Sequence, residues 1–311
     1  MKRALVFPGQ GSQAVGMGQA LAFAFPEARE VLQEVDHAIG QNLTRLMFEG
    51  PDDELRLTEN AQPAIMAVSM AVIRVLERQG SLRLPDAALF VAGHSLGEYS
   101  ALCAAGSLAL ADTARLLKKR GQTMQIAVPV GLGAMAALIG VDLSEAKEIA
   151  SAAALEEVCS VAGDNAPGQV VISGHATAVD RAIAIAAEHG FKRSVKLPVS
   201  APFHCALMEP AAKVMQKALN MVAIKAPIVP VVSNVTAEPA SEVSEIRDLL
   251  VRQVTQAVRW RESVLYMKAQ GIEQLIECGA GSVLAGLTKR IDKEVTAVSL
   301  HSPEDIEAFL A

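Results

Sequence analysis

The stretch Leu89 to Leu102, LFVAGHSLGEYSAL, sets Gly93 and Gly97 two places on either side of Ser95. A strand-to-helix turn sharp enough to expose a serine hydroxyl strains the backbone and brings neighbouring chain close, so side chains are excluded at those flanking positions. The run AALFVA before the serine suits a strand, and LGEYSALCAAG after it suits a small-residue helix. That is the context a G-x-S-x-G nucleophile requires, a purely structural turn being the competing account. Ser95 then projects its hydroxyl into a cleft, and the N–H of Leu96, at the start of the helix, faces any oxyanion formed beside it.

A neutral serine hydroxyl needs a base, and near neutral pH histidine is the usual one. Six histidines compete. His94 adjoins the serine, but successive residues leaving a strand point to opposite sides. His37 and His189 sit in helical stretches, His189 just before Gly190, where a cation complements a helix C-terminus. His175 stands near a helix start and His301 in the tail. His204, in LPVSAPFHCALMEPAAKVM, follows a strand and a proline-containing turn and precedes a helix in apolar surroundings. It is the candidate base, and a satisfied, partly buried histidine is the competing account of it. Its neighbour Cys205 would face another way.

In LADTARLLKKRGQTM a helical stripe runs through Thr113, Leu116, Leu117 and on toward Met124, and Arg120 falls on it. Arg115, Lys118 and Lys119 point toward water. A guanidinium on the buried side must be paired. Its partner is either an internal carboxylate or a substrate anion, which a planar guanidinium grips through two parallel hydrogen bonds.

VFPGQGSQAVG carries Gly9-x-Gly11-x-x-Ala14 after a strand, the loose form of the dinucleotide fingerprint. That reading needs an acidic residue at the end of the next strand, and Glu27, Glu30 and Glu34 fall in a helical run instead. The loop is better suited to laying backbone N–H groups along a cleft.

The elements that must position these groups alternate. RALVF (3–7), AALFVA (87–92), PIVPVVSN (227–234) and EQLIECG (273–279) read as buried strands with amphipathic helices between them, an α/β pattern with a largely parallel sheet. Residues 128–199 have another rhythm: strand GAMAALIGV, a helix capped by Asp142 or Ser144, two strands about an Asn-Ala-Pro-Gly turn, a helix stopped by Gly190, and a last strand in FKRSVKLPVS. That order, βαββαβ, is the ferredoxin-like unit. The expected organisation is a large α/β subdomain from 1–127 and 200–311 with a small one, 128–199, inserted. At 311 residues, 51% of them hydrophobic, the chain can bury such a core.

A net charge of −6 and 4% aromatic residues give nucleic acid no foothold. No run reaches the roughly 18 apolar residues of a membrane helix. MKRALVF opens like a signal peptide but is cut short by PGQGSQ. The four cysteines form no CxxC pair, so neither zinc nor a disulfide framework is indicated. A reduced, cytosolic, soluble protein is expected.

Together FPGQGSQ, GHSLGEYSAL, the arginine 25 residues beyond the serine, SAPFHCALM and RQVTQAVRW resemble the malonyl-CoA:acyl carrier protein transacylases, in order and along essentially the whole chain. The resemblance implies an α/β-hydrolase-like large subdomain with the ferredoxin-like insertion. By it, Ser95 is the acyl-carrying nucleophile and His204 its base. Gln10 and Leu96 supply the N–H groups of the oxyanion hole, and Arg120 pairs with the malonyl carboxylate. The backbone carbonyl of Gln253 holds the histidine where a triad acid would otherwise stand, and no acidic residue presented itself for that place. Asn165 and Asn234 match family positions near the substrate. Leu96 and Phe203 match members that select malonyl over methylmalonyl groups. The implied partners are malonyl-CoA and an acidic acyl carrier protein, for which Lys192, Arg193, Lys289 and Arg290 offer local cations. No cofactor, metal, nucleic acid or membrane is implied, and the family is mostly monomeric. Polyketide or malonate-degrading roles, a serine hydrolase on the same elbow, and a non-catalytic carrier-binding or scaffold protein on this fold are the alternatives.

Overall fold

The structure is a computed structural model describing residues 1–199 and 201–311. In chain order its strands are β1 (Arg3–Phe7), β2 (Phe90–Gly93), β3 (Gly133–Ile139), β4 (Cys159–Ala166), β5 (Gln169–His175), β6 (Val195–Lys196), β7 (Val231–Val232), β8 (Pro239–Ala240), β9 (Gln274–Cys278) and β10 (Thr296–Leu300). Among the described residues they form two sheets. The first has the order β10-β9-β1-β2-β7-β8, parallel throughout except for the β7–β8 pair.

In the centre of this sheet Ala4–Phe7 of β1 and Val91–Ala92 of β2 form unbroken buried apolar runs, because both faces are covered. Leu5, Phe7 and Val91 face a core shared with the helices Pro26–Ile39 and Thr58–Gln79. Ala4, Val6 and Ala92 face the opposite way, against Trp260, Val264 and Leu284. Parallel strands need crossovers, and the intervening helices supply them.

The second sheet is antiparallel with the order β4-β5-β3-β6. Renumbered within the insertion this is 2-3-1-4, the ferredoxin-like arrangement. Asp142 caps the helix Leu143–Ala154 in a full capping box, and the helix Ala176–Glu188 ends before Gly190 at φ 94°. Ala136, Leu138, Val170 and Ile172 pack on these two helices, whereas Met135, Ala137 and Val171, on the other face, join the core of the large subdomain. The alternation of β3 and β5 thus gives one sheet face to its own helices and turns the other toward the larger body.

Several strands differ from their expected extents. Of the run 87–92, Ala87 ends the helical turn Leu84–Ala87 and the strand begins only at Phe90, while prolines 227 and 230 leave only Val231–Val232 as strand, since proline offers no N–H to the ladder. The last strand of the insertion shrinks to Val195–Lys196. The expected boundary at residue 200 falls on the residue outside those described. The edge strands β8 and β10 had no counterpart in the sequence reading; β10 alternates exposed and half-buried positions and so lacks a continuous apolar run.

Candidate active site

Ser95 ends the turn after β2 with φ 54°, a conformation that L-residues avoid, and the helix Gly97–Ala104 starts two residues later. A Cβ on Gly93 would fall inside the Gly97 backbone, and one on Gly97 would meet the carbonyl oxygens of Phe7 and Pro8. The two glycines therefore make room for the elbow and its contact with β1. Side chains from elsewhere hold the turn: Ser95 N–H donates to Asn234 Oδ1 at 2.7 Å, Asn234 Nδ2 donates to Gly93 O at 2.7 Å, and Gln253 Nε2 donates to Ser95 O at 3.0 Å.

Ser95 Oγ lies 2.8 Å from His204 Nε2. His204 Nδ1 faces two carbonyls, Gln253 O at 2.8 Å and Gln256 O at 3.2 Å, so Nδ1 carries the proton and Nε2 is left to accept one from the serine. Gln253 caps the C-terminus of the helix Val243–Arg252, where carbonyls lack helical partners and the helix dipole is negative. A helix end thus occupies the place of a triad carboxylate. Burial first, and then the charge of Arg120, hold the His204 pKa down at about 3, which keeps the ring a neutral base.

Arg120 lies 1% exposed on the inner face of the helix Leu110–Ile126. Its Nη2 donates to Ser95 Oγ at 3.2 Å and Gln253 Oε1 at 3.0 Å, its Nη1 to Gln62 Oε1 at 2.9 Å, and its carbon centre sits 5.7 Å from the Tyr99 ring. Among the described residues its Nε has no acceptor and no carboxylate comes within ion-pairing distance. Its hydrogen-bond partners Ser95, Gln253 and Gln62 are neutral, and no ion pair within the protein takes up its charge, although the buried Glu98 acts on it through space. Of its helix neighbours, Arg115 and Lys119 are exposed as expected, but Lys118 is not simply solvated: it is largely covered and pairs with Glu59 at 2.8 Å.

Ser95, His204 and Arg120 open into a cavity of about 290 Å³ between the two sheets, with Met135 and Val171 of the small sheet on one wall and Gln10 on another. No aspartate or glutamate is among the described residues that line it. Gly9 lets the N-terminal loop lie on the elbow, because a Cβ there would stand 2.6 Å from His94 O. Gln10 and Leu96, the expected oxyanion donors, thus flank the serine from the loop and from the helix start, and among the described residues neither backbone N–H has a protein acceptor. Asn165 lines the cavity and accepts from His94 Nε2 at 2.9 Å. Asn234, expected near the substrate, is fully buried behind the elbow together with Gln253, and there they hold Ser95 and His204 in place of lining the cavity.

The acyl transferase domain model matches residues 4–302. The chain belongs to that family. It is 48% identical over 307 residues to the malonyl CoA-acyl carrier protein transacylase of Escherichia coli K12, covering 99% of this chain and 98% of that one. Among solved structures it is similar to an acyl-carrier-protein-S-malonyltransferase from Bartonella henselae (TM-score 0.97, 55% identity, 100% and 98% coverage). It is also similar to a malonyl-transacylase solved in complex with a type II PKS acyl-carrier protein (TM-score 0.96, 41% identity, 100% and 99% coverage).

Two acyl transferase site residues escaped the sequence reading. Gln62 sits in the helix Thr58–Gln79 among buried apolar residues, and a polar side chain in so apolar a run was the available signal. Glu98, three residues past the serine, is 3% exposed and accepts from Gln253 Nε2 at 2.7 Å and Asn234 N–H at 3.1 Å. It does not touch His204, so it is not a triad acid. Among the described residues no cluster of histidine, cysteine or acidic side chains is placed to hold a metal, and no helix is long and apolar enough to cross a membrane.

Proposed function

We propose that this chain transfers the malonyl group of malonyl-CoA to the phosphopantetheine thiol of acyl carrier protein, for fatty-acid synthesis, through an ester on Ser95. The observation that carries the reading is Arg120: a buried cation with neutral protein partners, 3.2 Å from a serine hydroxyl that is itself 2.8 Å from a histidine. A site of this kind recognises an acyl group that carries an anion.

In the first half-reaction His204 Nε2 takes the Ser95 proton as Oγ attacks the thioester carbonyl. The oxyanion is received by the N–H groups of Gln10 and Leu96. The intermediate collapses, the C–S bond breaks, and the CoA thiolate leaves with the proton from His204. In the second half-reaction the carrier thiol gives its proton to His204 and attacks the serine ester, and the Ser95 alkoxide recovers that proton as it leaves. Arg120 grips the malonyl carboxylate in both. An unmet buried guanidinium penalises an acetyl group, which has no anion to offer.

The division into 1–127 with 200–311 and the insertion 128–199 goes with this reading, since the cavity lies between the two sheets. So do a cytosolic location, a monomeric state, and docking of an acidic carrier on the exposed Lys192, Arg193 and Lys289.

The test is intact-protein mass spectrometry after brief mixing with malonyl-CoA, with peptide mapping, on the wild type and Ser95→Ala. A malonyl adduct on Ser95 that persists in water and is discharged by carrier protein supports the reading. An adduct lost equally fast without carrier would make the protein a hydrolase instead.

A further inference from the structure

Behind the reactive residues lies a buried carboxyl that no step of the transfer uses. Glu98 occupies the first turn of the helix Gly97–Ala104 and does not line the cavity. Its Oε2 accepts the side-chain N–H of Gln253 and the backbone N–H of Asn234. We propose that Glu98 is a positioning residue for substrate selection: it fixes which end of the Gln253 amide faces Arg120, and so holds the guanidinium where a malonyl carboxylate can meet it. The proposal rests on the malonyl-transfer reading above.

Donor and acceptor parity sets the orientation of Gln253. The Gln253 amide has an acceptor end and a donor end, and turning it over exchanges them. As placed, the NH2 end points at Glu98 Oε2 and Ser95 O, while the oxygen receives Arg120 Nη2 at 3.0 Å. Turned over, it would set oxygen against those oxygens and NH2 against a guanidinium, with the Gln253 side chain fully buried. Ser95 O at 3.0 Å and Asn234 Oδ1 at 3.4 Å, the other acceptors on that NH2, are neutral and more distant. Glu98, at 2.7 Å, is the shorter and potentially charged acceptor, and such bonds are the stronger ones. Burial raises its pKa to about 7, yet both protonation forms keep an acceptor oxygen for Gln253. The backbone carbonyl of Gln253 also holds His204, so Glu98 touches the base and the cation through one residue.

The experiment compares malonyl-CoA with acetyl-CoA as donors to Ser95 on a single preparation of each of the wild type, Glu98→Ala and Glu98→Gln. The quantity read is the ratio of the two kcat/KM values, which does not depend on the fraction of a variant that folds. Glu98→Ala is expected to lower that preference by about ten-fold or more, the effect of one misdirected buried hydrogen bond. Glu98→Gln can still present an oxygen to Gln253 and is expected to retain the preference within about threefold. An unchanged ratio in Glu98→Ala overturns the positioning role, and so does equal loss in both variants, which would point to charge in place of hydrogen bonding. If the wild type itself shows no preference for malonyl-CoA, the underlying reading fails instead, and that result is separately visible.

Discussion

Ser95 and His204 both occupy the left-handed backbone region, at φ 54° and φ 59°, and their side chains meet at 2.8 Å. Two non-glycine residues in a conformation that costs each about 1 kcal/mol or more are held there by surrounding structure. For Ser95 those restraints are the amide side chains of Asn234 and Gln253 on its N–H and C=O.

The strain at the elbow can be measured. Ser95→Ala and Ser95→Gly both remove the hydroxyl, but only glycine is at ease with a positive φ. The glycine variant is expected to be more stable than the alanine variant by about 1 kcal/mol in denaturant titration. Neither should form an acyl adduct. Equal stabilities would mean that the turn is relaxed.

Gly93 tests the packing of the same turn from the other side. Its absent Cβ leaves the space taken by the Gly97 backbone, which has no rotamer with which to move away. Gly93→Ala is expected to cost about 3 kcal/mol or more and to abolish acylation, by thermal melting and adduct formation respectively. Near-native stability would show that the strand and helix can separate at this point.

The elbow was legible because steric exclusion leaves a mark in sequence: two glycines, a strand run and a helix of small residues. Arg120 was legible because it broke an apolar stripe. The ferredoxin-like insertion was legible too, because its order of periods changes from 2 to 3.6 and back. Gln62 and Glu98 were not, because their roles depend on which polar atoms meet across 58 and 155 residues of chain, and a hydrogen bond leaves no periodicity. Strand β10 escaped because an edge strand with a half-exposed face lacks the continuous apolar run of a central one. At His204 itself two backbone carbonyls face Nδ1, and the carboxyl of Glu98, one residue removed from it, went unseen.

The carrier surface predicts a split in kinetic constants. Lys192, Arg193 and Lys289 are exposed, so charge reversal there should raise the KM for an acidic carrier several-fold, with formation of the acyl-enzyme unchanged. Raised ionic strength should weaken the wild type in the same way. Arg290 belongs to a different test: it donates to the Gln169 side chain and the Pro167 carbonyl, which ties the β4–β5 turn to the large subdomain. Unchanged carrier kinetics in the triple reversal would place docking elsewhere.

Arg120 acts on the substrate and on the base at once, and the two effects can be separated. Replacing it with alanine should reduce malonyl transfer by about 100-fold or more while any acetyl transfer falls far less, since only malonyl loses a buried ion pair. The same substitution removes a cation that depresses His204, so the imidazole pKa must rise from about 3. The sign follows from the neutral form being the base: wild-type acylation should show no acid limb near the ordinary 6.5, whereas in Arg120→Ala the limb moves up toward it. Stability follows the same linkage. A depressed histidine makes the folded state lose ground as pH falls from 6.5 toward 3, and that loss should be smaller in the variant. An imidazole titration by NMR, beside the pH profile of adduct formation with each acyl-CoA, measures both. If selectivity collapses and the His204 titration stays put, Arg120 is a carboxylate clamp alone. If the titration moves and selectivity survives, its charge serves the base, and malonyl recognition must lie with other residues.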